Sequence, residues 1–283
     1  MHLKIKKKKF NLDQSPLIVA ILNLTPDSFY DGNKYKTKDS LLKRVEQIVK
    51  EGADILDIGG ESSRPQSKRI SAEIEKDRVI EKLILIKKNF DIPISIDTMK
   101  SHVADICLKE GAEIVNDVTG YQFDPEMPRV IADHKAAVII NHSSDLPHRM
   151  QSKTDYKDMM KEIKKYFKRK VKISLESGID PESIVIDPGI GFGKTTNQNL
   201  ELVNNASEFL KLNLPLMYGV SNKAFLGEIL KIKNPKDRGN ASVVAACFCL
   251  NNGANLIRVH NIKDTKEMVK IYMELSNVWN WWN

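Results

Sequence analysis

The sequence predicts an α/β fold and, more specifically, a single (β/α)8 barrel. Short apolar segments alternate eight times with longer amphipathic stretches along the 283 residues, which is the pattern of repeated strand–helix units. No Pro-rich linker, low-complexity segment or change of composition separates these units, and barrels of this length are common as one domain. A doubly wound open sheet remains the alternative, because hydrophobic periodicity does not show whether a sheet closes.

Each predicted strand is a short apolar run, typical of a buried strand, and polar residues stand at or just after its end. These runs cover residues 17–23, 54–59, 92–97, 112–117, 136–141, 183–187, 214–220 and 255–260. The amphipathic stretches predict helices over residues 38–51, 72–89, 100–110, 128–134, 156–178, 198–210, 223–230, 237–251 and 263–275. We assign residues 1–16 to a basic N-terminal segment and residues 17–283 to the barrel domain.

The composition excludes several classes of protein. Apolar residues make up 41% of the chain and charged residues 29%, and no apolar run approaches the roughly 18 residues that a membrane span needs. The basic N-terminus is not followed by the apolar segment of a secretory signal, so we expect a cytoplasmic protein. Cys107, Cys247 and Cys249 lie in apolar, helix-like segments, which predicts reduced thiols and neither a disulfide framework nor a zinc site.

The net charge of +7 arises from 44 Lys and Arg against 37 Asp and Glu. A basic balance fits an anionic ligand. Nucleic-acid binding usually interleaves aromatic residues with the cations, and the Lys-rich stretches here mostly lack them. We therefore expect a small anionic ligand and no nucleic acid.

Polar residues stand at the ends of the predicted strands. They are Asn23, Asp57, Asp97, Asn116 with Asp117, Asn141 with His142, Asp187, Ser221 with Lys223, and Arg258 with His260. Any one of them could simply cap a strand-to-helix turn. In a barrel, however, the carboxyl ends of all strands meet at the face that carries the active site, so together they predict one polar site.

Three loops add to this prediction. The segments "LTPDSFYDGNKY" and "IGGESSRPQSKRIS" are rich in Gly, Pro, Ser and charge, and they are longer than minimal connections after a strand. Such loops usually close over a ligand, although they could also be merely mobile. The segment "DPGIGFGK" places three glycines within five positions. Its spacing matches neither a dinucleotide fingerprint nor a P-loop, so we reject a nucleoside triphosphatase.

The chemistry of these residues separates into two halves. Carboxylates and amides such as those of Asp97, Asn116 and Asp187 suit a flat heterocycle that carries both hydrogen-bond donors and acceptors. Arg258 and His260 stand two residues apart on the last strand, so both point to one face, and Arg binds phosphate oxygens well. Mg2+ could share that charge through Asn23, because Mg2+ typically takes few protein ligands in addition to phosphate and water.

Seven segments, in order and along almost the whole chain, resemble the dihydropteroate synthase family of folate biosynthesis. They are "ILNLTPDSFYDG", "GADILDIGGESSRP", "ISIDTMK", "EIVNDVTG", "VIDPGIGFGK", "GVSNKAFLG" and "IRVHN". The resemblance implies a (β/α)8 transferase that joins 6-hydroxymethyl-7,8-dihydropterin diphosphate to 4-aminobenzoate and releases diphosphate. In this family the C–O bond breaks largely first, which leaves a pterin cation that the aromatic amine attacks.

The resemblance also implies roles for individual residues and an assembly. Asp97, Asn116, Asp187 and Lys223 match the pterin-binding set, with Asp97 helping to stabilise positive charge. Asn23 matches the Mg2+ ligand, whereas Arg258 and His260 match the diphosphate binders, Arg258 also lying against the pterin. The aminobenzoate wall corresponds to Ser63, Arg64, Pro65 and Phe192, and Phe29 and Asp31 belong to the loop that orders over the site. The family is usually homodimeric.

The chain departs from the family at several positions. The family commonly has Ser-Arg-Lys-Ser where this chain has Ser221, Asn222, Lys223 and Ala224, so an Arg and a hydroxyl near the aminobenzoate carboxylate are lost. An apolar pterin contact of the family is replaced by Asn141. We expect these changes to alter the affinity for aminobenzoate and for the sulfonamides that mimic it, without removing activity.

Two further functions stay open from the sequence. A methyl-transferring pterin-binding enzyme would share the barrel and the ring-binding residues, but it would need no diphosphate site, and Arg258 with His260 and the two long loops argue against it. A catalytically dead barrel kept as a scaffold is expected to lose charged rim residues, whereas every charged position assigned to chemistry is present.

Overall fold

The structure is a computed structural model that describes residues 1–25, 37–62 and 67–279, with side chains up to residue 276. Its strands are β1 His2–Ile5, β2 Lys8–Asn11, β3 Leu17–Asn23, β4 Ile55–Gly59, β5 Ile94–Asp97, β6 Ile114–Asp117, β7 Ala137–Asn141, β8 Ile184–Asp187, β9 Met217–Tyr218 and β10 Leu256–Val259. Its helices are α1 Lys38–Lys50, α2 Ala72–Asn89, α3 Ser101–Lys109, α4 Met127–Asp133, α5 Met159–Glu176, α6 Thr196–Asn204, α7 Ser207–Leu210, α8 Ala224–Leu230, α9 Gly239–Asn251 and α10 Ile262–Trp279.

Strands β3 to β10 form one parallel sheet in the order β8-β7-β6-β5-β4-β3-β10-β9. Its two ends meet, because Ile186 of β8 forms a bridge with Leu216 and donates its backbone N–H to the carbonyl oxygen of Pro215 at 2.9 Å. The last strand β10 pairs with the first barrel strand β3. The sheet is therefore closed, and the prediction of a (β/α)8 barrel is confirmed.

The helices cover the outside of the barrel and begin where the sequence provides a cap. Helix α1 starts at Thr37, whose side chain accepts the backbone N–H of Ser40 in a capping box. Its buried residues Leu41, Val45 and Ile48 recur at the spacing of one helical face. That face packs with the outward-facing residues of β3, so each amphipathic stretch covers one part of the sheet.

Two predicted elements differ from the structure. The predicted helix over residues 198–210 divides into α6 and α7, because α6 ends at a C-cap, Asn205, whose backbone is not helical. The predicted strand over residues 214–220 shortens to β9. Pro215 lacks a backbone N–H and cannot donate to a neighbouring strand, and only its carbonyl joins the sheet.

Residues 2–11 form a β-hairpin for which the sequence predicts only a basic segment. Strands β1 and β2 pair in an antiparallel manner around Lys6 and Lys7. Leu3 and Ile5 are fully buried and pack with the inward residues at the amino ends of the barrel strands, among them Val19 and Ile139. The hairpin thus closes the end of the barrel opposite the polar rim. The assignment of residue 17 as a domain boundary stays a prediction.

Candidate active site

The interior of the barrel changes from apolar to polar along the strands. Apart from the buried Ser95 on β5, the inward-facing residues near the amino ends are apolar and form one cluster with the hairpin. Further along, at positions of the same face, the inward residues are Asn23, Asp57, Asp97, Asn116, Asn141, Asp187 and Arg258. The carboxyl ends of the strands therefore bring these side chains to one end of the barrel.

Five of these side chains form a continuous hydrogen-bond network. The amide of Asn141 donates to Oδ1 of Asn116 at 2.7 Å, and the amide of Asn116 donates to Oδ2 of Asp57 at 3.0 Å. Arg258 joins the network from β10: its Nε donates to Oδ2 of Asp57 at 2.7 Å and its Nη2 to Oδ2 of Asp97 at 2.8 Å. One guanidinium thus links two carboxylates that belong to different strands.

Burial dominates the electrostatics of this network. It raises the pKa of the Asp97 carboxyl to about 7, although the Arg258 guanidinium opposes the shift. Burial also raises the pKa of Asp187 to about 6, against the backbone N–H of Gly189 and the cations of Lys223 and Arg258. Oδ1 of Asp57 is buried and has no hydrogen-bond partner in the part of the chain that the structure describes. Buried carboxylates need a polar ligand or a cation, so the base of the site is prepared for a hydrogen-bond donor.

A cavity of about 810 Å³ opens above this network. Seven residues that the sequence assigned to the site line it, namely Asn23, Asp97, Phe192, Ser221, Lys223, Arg258 and His260. Asp187 lies just behind Gly219 of the lining: a Cβ built at Gly219 would meet Cβ of Arg258 at 3.8 Å and Oδ2 of Asp187 at 4.0 Å. A side chain at this position would contact both Arg258 and Asp187, a proximity of Gly219 to these two residues that the sequence alone did not indicate.

Lys223 lies on one side of the cavity against an aromatic ring. Its Nζ is 4.1 Å from the ring centroid of Phe192, within the range of a cation–π contact. Burial lowers the pKa of Lys223 to about 8, while Asp187 opposes this shift. Asn222 precedes it with a φ of 58°, a left-handed conformation that Asn adopts more readily than most residues. Its backbone N–H donates to Oγ of Ser242 at 2.9 Å.

The glycine segment after β8 forms a tight turn beside Lys223. Gly189 and Gly193 have φ values of 72° and 69°. A Cβ would lie 1.9 Å from the carbonyl oxygen of His142 at the first position and 1.7 Å from Oγ of Ser144 at the second. Both distances are impossible, so only glycine fits there. The backbone of this segment therefore packs closely against the loop that follows β7.

His260 and Asn23 also line the cavity. Nδ1 of His260 lies 3.0 Å from Oγ of Ser221, which orients the imidazole. Asn23 is half-buried at the end of β3, and its Oδ1 would lie 3.6 Å from a Cβ built at Gly59. Within residues 1–25, 37–62 and 67–276, no cluster of three His, Cys, Asp or Glu side chains could hold a metal. A single amide oxygen fits a Mg2+ ion that takes its other ligands from phosphate and water.

Some rim residues have a structural role or lie outside the description. The carboxylate of Asp117 accepts the backbone N–H groups of Thr119 and Tyr121, both at 2.8 Å, and so caps the turn after β6. Phe29, Asp31, Ser63, Arg64 and Pro65 lie outside the described residues, and their assignment stays a prediction. The hydrogen-bond network includes Asp57 and Asn141, to which the sequence assigned no role in the reaction. The position of each residue at the end of a predicted strand was the sequence feature that could have identified them.

Comparisons with known proteins agree with the fold and the arrangement of the rim. Residues 19–260 match the family described as "Pterin binding enzyme". A dihydropteroate synthase of Synechocystis sp. is 37% identical over 269 residues, which are 95% of this chain and 93% of the relative. A crystal structure of the Yersinia pestis dihydropteroate synthase with a sulfonamide drug complex has a TM-score of 0.93 and 33% identity, covering 98% of this chain and 100% of that one.

A structure of the Xanthomonas albilineans dihydropteroate synthase with 4-aminobenzoic acid has a TM-score of 0.89 and 30% identity, covering 97% of this chain and 98% of that one. The similarity therefore extends over the whole barrel and over each strand that carries a rim residue. The resemblance that the seven sequence segments indicated is confirmed. The chain belongs to the pterin-binding enzyme family and, within it, to the dihydropteroate synthases.

Proposed function

We propose that the cavity binds 6-hydroxymethyl-7,8-dihydropterin diphosphate and 4-aminobenzoate and joins them to 7,8-dihydropteroate with release of diphosphate. Membership in the family supports this reaction. The observation that carries it is that one cavity combines the lining cations Lys223 and Arg258 with carboxylates at its base. A pterin ring needs the acceptors, and a departing diphosphate needs the cations.

In this proposal, the ring half of the site is formed by Asp187, Asn116, Asp97 and Lys223. Asp187 and Asn116 bind the polar edge of the pterin. Asp97 lies in the cavity lining and stabilises the positive charge that develops as the C–O bond breaks. The aromatic amine then attacks the exocyclic carbon and loses a proton. Lys223, which lies against the Phe192 ring and is attracted by the Asp187 carboxylate, holds the ring of the pterin in place.

The anion half of the site is formed by Arg258, His260 and Asn23. Arg258 uses Nε and Nη2 for the two carboxylates, and we assign Nη1 to the diphosphate. His260 binds the same anion from its position beside Ser221. A Mg2+ ion held by Asn23 would supply further positive charge to the diphosphate oxygens. The aminobenzoate ring lies against Phe192 in this proposal. Ser63, Arg64, Pro65, Phe29 and Asp31 are outside the described residues, and we propose for them the binding roles that the family resemblance implies.

The reaction is tested by mixing the protein with the pterin diphosphate, 4-aminobenzoate and Mg2+ and by measuring diphosphate release. Release that requires both organic substrates supports the synthase. Pterin binding without release supports a scaffold protein. Transfer of a methyl group from a methylated pterin, without any need for diphosphate, supports the methyl-transferring alternative.

We predict that pterin binding weakens as the pH falls. The ionised carboxylate of Asp187 accepts pterin N–H groups, and its pKa is raised to about 6 by burial. Binding is therefore complete above this pKa and is lost as the pH falls through it, by about tenfold between pH 8 and pH 5. Titration of fluorescence with the pterin at each pH measures the change. The Asp187→Asn variant should bind more weakly at pH 8 and show a smaller fall, and an equal fall in both proteins would contradict the assignment.

We predict that restoring the family's residues strengthens sulfonamide inhibition. The Asn222→Arg, Ala224→Ser double variant regains the cation and the hydroxyl that this chain lacks near the aminobenzoate carboxylate. Its inhibition constant for a sulfonamide and its KM for 4-aminobenzoate should both fall severalfold, about 1 kcal/mol of binding free energy. Identical inhibition curves for the two proteins would show that these positions do not control the affinity.

We propose a homodimer that forms through helices α9 and α10. Val244 and Phe248 on α9 are 68% and 51% exposed, and Ile271 and Leu275 on α10 are 63% and 67% exposed. Each pair has the i, i+4 spacing of one helical face. Such an exposed apolar surface is typical of an interface with another protein, and the family is usually homodimeric.

The expected result is a particle of about twice the 32.1 kDa chain mass in light scattering, and a monomer for Phe248→Glu. Leu175→Glu on α5 is the matched control, because Leu175 is 46% exposed on a different helix and should leave the dimer intact. A monomeric parent protein would contradict the proposal, as would a Phe248→Glu variant that stays dimeric.

We also propose that the protein acts in the cytoplasm. No helix in the described part of the chain is long and apolar enough to cross a membrane. Cys107 and Cys249 are free and buried, which suits a reducing compartment.

A further inference from the structure

Lys194 is a buried cation at the active site to which the proposed reaction gives no role. It follows the glycine turn after β8, is 4% exposed and lies in the lining of the large cavity. Its Nζ donates to the carbonyl oxygens of Gly189 at 2.9 Å and Phe192 at 3.0 Å. The same atom lies 3.1 Å from Nδ1 of His142 and 3.4 Å from the carbonyl oxygen of that residue.

These contacts tie the turn to its neighbours. Gly189 and Phe192 stand at the two ends of the turn, where the N–H of Phe192 also donates to the carbonyl oxygen of Gly189 at 3.0 Å. His142 follows β7, so the Lys194 ammonium connects the turn after one strand with the loop after the adjacent strand. Glycine-rich segments have many backbone conformations available, and a cation shared by several carbonyl oxygens selects one of them.

Burial and the neighbouring charges act on the pKa of Lys194, not all in the same direction. Burial lowers the pKa of Lys194 to about 7, Asp187 opposes the shift and Lys223 adds to it. Burial and then the Lys194 ammonium hold the pKa of His142 well below its usual value. The imidazole is therefore neutral, and its Nδ1 can accept a hydrogen bond from Lys194. A lysine in such a place must be fully hydrogen-bonded, which the carbonyl oxygens achieve.

We infer that Lys194 is a positioning residue that fixes the turn so that the Phe192 ring stays against Lys223 and forms the aminobenzoate wall. The observations that carry the inference are the hydrogen bond to the Phe192 carbonyl and the 4.1 Å contact between Phe192 and Lys223. Lys194 acts on the aromatic amine through Phe192 and does not touch it. This inference rests on the proposed function, because it assigns the wall to 4-aminobenzoate.

The test compares Lys194→Met, Phe192→Ala and the double variant in steady-state kinetics. Methionine has a similar length but no donor, so Lys194→Met should raise the KM for 4-aminobenzoate by about tenfold and change the Kd of the pterin by less than about twofold. If Lys194 acts through Phe192, the double variant should have the KM of Phe192→Ala alone. Effects that multiply in the double variant would overturn the inference.

Lys170→Met is the matched control for loss of a buried ammonium. Lys170 on α5 is 6% exposed, and its Nζ lies 5.8 Å and 5.3 Å from the ring centroids of Tyr121 and Tyr166. The Lys170→Met substitution should lower the Tm without changing the KM for 4-aminobenzoate. A Lys194→Met variant that behaves in the same way would overturn the inference. Lys194→Leu, which also has no donor, replaces Lys194→Met if the latter does not fold, and the same two criteria apply.

Different experimental results would contradict the role of Lys194 and the proposed function. A parent protein that releases no diphosphate contradicts the function itself. A parent protein that is active, combined with an unchanged KM in the folded Lys194 variants, contradicts only the positioning role.

Discussion

Replacing Arg258 by Ala is expected to lower both the stability of the protein and its turnover. The side chains of Asp57 and Asp97, its two partners, are 0% and 8% exposed. Without the guanidinium both carboxylates remain buried, and no other cation among the described residues is at salt-bridge distance. Such a change typically lowers the free energy of unfolding by about 3–5 kcal/mol. Urea denaturation measures this loss. Turnover falls as well, because Arg258 also stabilises the departing diphosphate in the proposed reaction.

Two variants separate these effects. Arg258→Lys keeps a charge but cannot reach both carboxylates in the same planar geometry, so it should recover part of the stability and little of the turnover. His260→Ala should weaken diphosphate binding, measured by calorimetry, while leaving the binding of the free pterin and the free energy of unfolding nearly unchanged. An Arg258→Ala protein as stable as its parent would show that the ion pairs contribute nothing.

Replacing Lys223 by Ala is expected to lower kcat/KM by at least tenfold, which corresponds to about 1.4 kcal/mol in the barrier. The ammonium lines the cavity beside the Phe192 ring and is attracted by the Asp187 carboxylate, so its removal takes away both a contact for the pterin and a nearby positive charge for Asp187. Asp187→Ala should cause a loss of at least the same size. Diphosphate release under subsaturating pterin measures both variants.

Lys233→Ala is the matched control for Lys223→Ala. Lys233 is exposed in the segment after α8 and does not line the cavity, so its removal changes the net charge equally without altering the site. Full kcat/KM in Lys223→Ala, or an equal loss in the control, would show that the assignment of Lys223 is wrong.

The polar residues at the carboxyl ends of the strands could be predicted from the sequence because two regular patterns of a barrel place them there. Parallel strands end at one face, and inward residues alternate along each strand. The opposite orientations of Ile257 and Arg258 follow from this rule alone. The prediction that Arg258 and His260 share one face agrees with their common place in the cavity lining.

The partners of these side chains could not be predicted in the same way. Arg258 and Asp57 are 201 positions apart in the sequence, and nothing in either segment shows that a guanidinium links two carboxylates. The proximity of Gly219 to Asp187 and Arg258 could not be predicted either. The hairpin was missed because Leu3 and Ile5 alternate with lysines whose charge dominates the composition of the segment, whereas the period-two pattern of a strand was present.

The hairpin and the closure of the barrel also set the order in which the chain can complete its structure during synthesis. Residues 2–11 leave the ribosome long before residue 183, yet Ser183 donates to the carbonyl oxygen of Lys4 at 2.9 Å. Strand β3 likewise acquires its neighbour β10 only when residues 256–259 have been made. The hairpin and β3 therefore cannot form these contacts until the C-terminal part of the chain has been synthesised. Contacts between residues so far apart in the sequence also form slowly. Until then the apolar residues that will fill the barrel are open to water, which makes nascent fragments of this chain dependent on protection against aggregation.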